Sequence, residues 1–202
     1  VADREPDIAT QLPPLERCDS VALDPHKGLF LPYGLGALLV RDGELLRRAH
    51  AVTAGYLPPG GDGDSYNPCQ YGPELSRPYR GLRAWLPLML HGVAAFRDAL
   101  HEKLTLARWI AAELEALDGI ELTHPPELSL LAFQVDSARR NEHTSALMER
   151  VTARGRVMLS GSQVTPEAYL GRICVLCFRT HRPHLEAALA DIDAETKALL
   201  AE

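Results

Sequence analysis

From Thr53 to Ser76 the sequence reads TAGYLPPGGDGDSYNPCQYGPELS, two dozen residues rich in Gly and Pro and without apolar periodicity. A stretch of that length with neither helix nor strand pattern is more often a functional loop than packed structure. The rest of the chain has to fold on either side of it. Before it, Ser20 to Leu23 and Gly36 to Val40 are short apolar runs, the second closed by the turn-prone pair Asp42 and Gly43, and both predict buried strands. Glu44 to His50 predicts a short helix.

After the loop the rhythm becomes helical from Arg77 to Leu117. Leu100, Leu104, Ala107, Ile110, Ala111, Leu114 and Leu117 fall three or four apart, as one helix face requires. Pro87 predicts a break or bend in the earlier part, and Gly119 stands where a helix cap belongs. Further on, strands are predicted over Leu128 to Val135, Arg156 to Leu159 and Ile173 to Phe178. Helices are predicted over Glu142 to Ala153, capped by Asn141 and ended at Gly155, and over Pro183 to Leu200, with Leu185, Ala188, Leu189 and Ile192 on one face. Strands alternating with helices after a long helix predict a small α+β domain. It is placed at residues 119–202, with 1–118 belonging to the preceding domain and the functional loop at about 50–75.

Composition is ordinary for a globular chain: of 202 residues, 46% are hydrophobic and 24% charged. The formal net charge is -6 and no basic run accumulates, which argues against nucleic acid or an anionic membrane as partner. No segment has the uninterrupted apolar length of a membrane span, so a soluble, cytoplasmic protein is expected. The chain opens on Val1 rather than Met, in the loop-like VADREPDIATQLPPLE, and reads as a fragment whose upstream part is a separate chain, unresolved or lost.

The densest motif is DSVALDPHKGLFLPYGLGALLVRDG, from Asp19 to Gly43. A lysine just after a buried strand and an Asp-Pro turn can be held with its amine partly desolvated, which lowers its pKa. A neutral amine forms an imine with an aldehyde. Asp24 and His26 supply polar groups beside Lys27, and Gly28, Gly34 and Gly36 permit close backbone approach. Alone, the tetrapeptide Asp-Pro-His-Lys is also compatible with a solvated surface turn.

The whole block resembles the cofactor-lysine region of the group II pyridoxal-phosphate-dependent decarboxylases, the family of aromatic-amino-acid, histidine and glutamate decarboxylases. A second block, YGPELSRPYRGLRAWLPLMLHG from Tyr71 to Gly92, is similar to the family segment that opens a long helix, with Arg77, Arg80, Leu82 and Trp85 in its characteristic positions. A third, RICVLCFRTHRPHLEAALADI, looks like the family's last strand and helix. The resemblance covers most of the chain in the right order and is looser over residues 120–170.

The resemblance implies an α/β fold: the last part of a type I, aspartate aminotransferase-like large domain with a mostly parallel sheet, followed by a small carboxyl-terminal domain. It also implies pyridoxal 5'-phosphate as cofactor, an amino acid as substrate, and a homodimer. Lys27 is then the Schiff-base lysine, and Asp24 and His26 lie near the cofactor phosphate. Tyr56 corresponds in its distance from Lys27 to the family's catalytic-loop tyrosine, whose phenol on a closing lid protonates the α-carbon after carbon dioxide leaves. Tyr66 and Tyr71 compete for that role. Arg172 stands where glutamate-type members bind a substrate carboxylate, a task suited to a guanidinium fork; a structural ion pair at a strand start is the slightly preferred alternative. The family's pyridine-pairing aspartate, ring-stacking histidine and main phosphate loop belong to the missing amino-terminal half, so this chain alone is not expected to be competent. Other type I enzymes, such as aminotransferases or carbon-sulfur lyases, and a non-catalytic fragment are the rival readings.

Four cysteines, Cys18, Cys69, Cys174 and Cys177, are too few and scattered for a disulfide framework and are expected as reduced thiols. Cys174 and Cys177 have CxxC spacing, but in a predicted strand positions three apart point to opposite faces, so no metal is expected. His181 and His184, near a helix start, read as solvated caps rather than ligands.

Overall fold

The computed structural model describes residues 15–51 and 66–202. Two compact units divide between Leu90 and His91.

In the first unit, strands β1 (Ser20–Leu23) and β2 (Ala37–Val40) pair antiparallel, with Ser20 opposite Val40 and Leu23 opposite Ala37. Helix α1 (Gly43–His50) follows. Its start is fixed by Asp42, whose side chain accepts the Glu44 N–H at 3.0 Å, and its last turn carries Arg47, Arg48 and His50 against the negative end of the helix dipole. Both strands are where the apolar runs predicted them, but they are not buried: Leu38 is 56% and Leu39 60% exposed. The cause is topological. These two strands form a sheet of their own, and no third strand among the described residues pairs with either.

Helix α2 (Leu82–Glu115) spans the division between units and is interrupted at Gly92, with φ 73° and ψ 156°. Pro87 lies inside the helix, and the interruption falls five residues later than the expected bend. The second unit contains a four-stranded antiparallel sheet in the order β3-β4-β6-β5. Its strands are β3 (Ile120–Glu127), β4 (Leu130–Val135), β5 (Ser160–Thr165) and β6 (Ala168–Cys174), with helices α3 (Arg140–Ala153) and α4 (Arg182–Leu200).

Several sequence expectations shift here. β3, which contains Pro125 and Pro126, is not among the strands predicted from sequence; it is an edge strand with register shifts, where a missing N–H is tolerated. The strand expected at Arg156 to Leu159 is absent, and its place is taken by β5, a polar sequence on the opposite edge. β6 lies earlier than the predicted Ile173 to Phe178. Asn141 does not cap α3. Its Oδ1 instead accepts the Tyr169 N–H at 3.0 Å, and its Nδ2 donates to the Glu167 carbonyl at 2.6 Å, tying α3 to β6.

The core of this unit is formed by Leu106, Ile110 and Leu114 of α2, Leu131, Phe133 and Val135 of β4, Leu147 and Val151 of α3, and Leu185 and Ile192 of α4. Alternate residues of β4 face it, which is the period of two a half-buried strand requires. Each fully buried Leu, Ile or Phe contributes about 1.5–3 kcal/mol. Gly119, in the turn from α2 to β3, has φ +81°, and a Cβ there would lie 2.4 Å from Leu200 Cδ1, so the turn both needs the left-handed backbone and lacks space for a side chain.

Among the described residues two charged side chains of this unit are buried, Lys103 and Asp191. Asp191 on α4 is fully inaccessible and accepts from Arg154 Nη1 at 2.9 Å and Arg156 Nε at 2.8 Å, with a second contact to Arg156 Nη2. The Arg156 hydrogen bonds, helped by Arg154, hold its carboxyl below the usual value of 3.8 against the opposing effect of burial. A depressed folded-state pKa stabilises above the unfolded value and ceases to do so as pH falls through the folded one. Asp191→Asn is therefore expected to cost about 1.5–3 kcal/mol at neutral pH, toward the lower end because both guanidiniums reach water. Denaturant unfolding as a function of pH checks this: the gap between variant and parent should narrow below pH 3.8.

Candidate active site

β1 delivers the chain into the turn Asp24-Pro25-His26-Lys27. The Lys27 N–H donates to the Asp24 carbonyl at 2.9 Å, and the Leu31 N–H to that of Pro25 at 3.1 Å. Phe30, closing the turn, has φ 56°, a left-handed conformation that a bulky residue adopts only under constraint. Pro25, Leu31 and Leu35 are buried and anchor the turn while Lys27 points outward.

The Lys27 amine lies 2.7 Å from Asp24 Oδ2, and its side chain is 61% exposed. The hydrogen bond and charge of Asp24 push the amine above its usual range, and Lys27 in turn holds the Asp24 carboxyl down. This corrects the expectation of a desolvated amine with a lowered pKa. Desolvation requires walls around the amine, and among the described residues the Lys27 side chain stays mostly exposed.

His26 is set differently. Its Nδ1 lies 2.6 Å from the Leu35 carbonyl, an acceptor only, so Nδ1 donates there and Nε2 is left outside that contact. The ring meets Tyr33 edge-on, centroids 5.0 Å apart. The Asp24 carboxylate, an acceptor when ionised, is engaged by the Lys27 amine.

The second sequence block meets the first through a residue that sequence reasoning passed over. Arg83 Nη1 donates to the Tyr33 carbonyl at 2.8 Å. Gly34 beside it has φ +83°, and a Cβ there would stand 2.9 Å from that guanidinium. Of the three glycines expected to permit close approach, Gly34 does so; Gly28 has open space and Gly36 an ordinary contact. Arg77 donates to the Pro68 carbonyl, and Arg80 grips Glu74 through two contacts of 3.0 and 3.3 Å. Leu82 and Trp85 are exposed.

Tyr56 lies outside the described residues. Its competitors Tyr66 and Tyr71 pack ring on ring at 4.8 Å between centroids. Arg172 belongs to the second unit, on β6 opposite Ala132 and Ser160. Its guanidinium reaches Ser160 Oγ at 3.5 Å, and no carboxylate pairs with it among the described residues, so the ion pair preferred from sequence has no partner there. Arg172 lines a cavity of about 290 Å³ together with Arg156, Ile173, Cys174 and His184. His181 caps α4: its N–H donates to His184 Nδ1 at 3.1 Å while its own ring contacts Glu102 at 2.7 Å. Among the described residues no cluster of His, Cys, Asp or Glu could hold a metal.

Comparison with solved structures shows the fold. The chain superimposes on Oryza sativa TDC, solved with PLP and tryptamine, with TM-score 0.81 and 22% identity, over 91% of this chain and 40% of that one. It is thus part of the type I pyridoxal-phosphate fold. The profile of the pyridoxal-dependent decarboxylase conserved domain matches residues 5–136, and the chain belongs to that family. Similar relatives are the aromatic-L-amino-acid decarboxylase of Bacillus atrophaeus, 32% identical over 82% of this chain and 36% of the relative, and the histidine decarboxylase of Drosophila melanogaster, 30% identical over 75% of this chain and 18% of the relative. The chain spans less than half the length of each of these proteins.

Proposed function

We propose that this chain is the lysine-bearing part of a pyridoxal-phosphate-dependent amino-acid decarboxylase, which converts an L-amino acid to the amine and carbon dioxide. The observation that carries the reading is the position of Lys27: an outward-pointing primary amine on a braced turn after β1, inside the segment that matches the family. An aldehyde cofactor suits this donor set, because the amine is accessible and the Nε2 of His26 is left as a second polar group facing away from its Leu35 anchor. When bound, the cofactor supplies an electron sink for the charge left on the α-carbon as carbon dioxide departs.

The remaining roles belong to this chain's own side chains. Lys27 attaches the cofactor. Asp24 acts through Lys27 by fixing where its amine sits, and His26 contributes a hydrogen bond near the phosphate. Tyr56 is the proton donor to the α-carbon, and Arg172 binds a substrate carboxylate with its guanidinium fork, which meets no carboxylate among the described residues. Residues 1–118 are assigned to the large domain and 119–202 to the small one. The working enzyme is a cytoplasmic homodimer in which the amino-terminal half closes the site. Among the described residues no helix is long and apolar enough to cross a membrane.

Borohydride reduction of the complete, cofactor-loaded protein followed by peptide mapping tests the central assignment. The pyridoxyl group is expected on Lys27, and its recovery on any other lysine would refute the reading. Tyr56→Phe should suppress release of the amine while leaving loss of carbon dioxide largely intact, because the proton is needed only after that bond breaks. An unchanged amine yield would transfer the role to Tyr66, Tyr71 or water.

A further inference from the structure

The two contacts that set the His26 ring come from one short stretch of chain. The Leu35 carbonyl accepts from Nδ1 at 2.6 Å, and Tyr33 meets the ring edge-on with centroids 5.0 Å apart. The first contact fixes the direction of the ring and the second its plane, so the orientation of His26 depends on where residues 33–35 lie. That stretch belongs to the connection between β1 and β2. Leu35, at the end nearer β2, is buried, whereas Tyr33 is 86% exposed and Gly34 is left-handed at φ +83°. Apolar burial therefore holds only one end of the stretch.

Arg83 holds the other end. It is the second residue of α2, and its Nη1 donates to the Tyr33 carbonyl at 2.8 Å from 50 residues further along the chain. A cation in the first turn of a helix is opposed by the positive end of the helix dipole, so α2 gains nothing from a guanidinium at this position. The Tyr33 carbonyl gains a charge-assisted hydrogen bond, roughly twice as strong as a neutral one. The approach is close: a Cβ on Gly34 would stand 2.9 Å from the same Nη1, so a side chain there would displace the guanidinium.

We propose that Arg83 is a positioning residue for His26. By fixing Tyr33 and the backbone that leads to the Leu35 carbonyl, it holds the imidazole beside Lys27 in the orientation that leaves Nε2 for the cofactor phosphate. This rests on the reading of Lys27 as the attachment residue and of His26 as a neighbour of the phosphate, and it brings a residue of the second sequence block into a site otherwise built from the first. Arg83 acts through the 33–35 backbone, so its removal weakens cofactor binding only when the His26 ring is there to be loosened.

Titration of the complete protein with pyridoxal phosphate, followed by visible absorbance, tests this in two backgrounds. Arg83→Met should weaken cofactor binding about tenfold when His26 is present and less than about twofold in His26→Ala. A merely structural role would weaken it equally in both. Arg83→Lys retains one cationic donor near the Tyr33 carbonyl and should weaken binding by about threefold, again only with His26 present; it decides the question if Arg83→Met does not fold. Equal weakening in the two backgrounds, or parent-like affinity in Arg83→Met, would overturn the proposal. Borohydride mapping of the same proteins keeps the two readings apart. A pyridoxyl group on Lys27 together with equal weakening removes the role of Arg83 alone, whereas a label on another lysine removes the assignment of Lys27 and the role of Arg83 with it.

Discussion

Burial of apolar surface governs which parts of this chain stand on their own. In the second unit, β4 sends Leu131, Phe133 and Val135 to one side, and α2, α3 and α4 supply a matching apolar layer. A sheet covered in this way has a core, and even a buried charge such as Asp191 is tolerated there because two arginines reach it. The first unit has the same kind of residues without the cover. Leu23, Leu38 and Leu39 of its two strands, and Leu82, Trp85, Leu86 and Met89 along α2, are exposed. Exposed apolar side chains in this number mark a surface that another part of a protein covers.

The same constraint reaches the chemistry. An amine beside a carboxylate in water is a stable ion pair, and Lys27 with Asp24 behaves as one, its pKa raised. Apolar walls would weaken the charged form, and a bound anion or aldehyde would compete for the amine. The turn geometry is already set by backbone hydrogen bonds, the buried Pro25 and Leu31, and the Arg83 tie to Tyr33, so the scaffold that aims Lys27 does not depend on those walls. Its electrostatic state does.

What could be read from the sequence follows this division. The positions of β1, β2 and α1, the apolar face of α2 and the last helix were legible because each rests on local signals: apolar runs, the turn-prone pair Asp42 and Gly43, spacing of three or four. β3 and β5 were missed because edge strands carry prolines and polar residues that weaken the strand pattern. The burial of β1 and β2 was misjudged because an apolar run reports what a strand is suited to contact, whereas burial depends on what is present to contact it. The motif that flags Lys27, Asp24 and His26 was plain in the chain, but the Lys27–Asp24 pair and the Leu35 anchor of His26 needed coordinates. Arg83 carried no signal of its own; the left-handed Gly34 beside it is the only sequence hint of that close approach.

We propose that Lys27 binds the cofactor from a turn that this chain sets by its own hydrogen bonds. A titration of pyridoxal phosphate followed by visible absorbance tests this directly, on the 202-residue chain alone and again with the remaining part of the enzyme restored. The chain alone should give a weak band that exchanges on dilution, and the restored enzyme a tight stoichiometric chromophore borne on Lys27. Tight stoichiometric binding and decarboxylation by the chain alone would contradict the account.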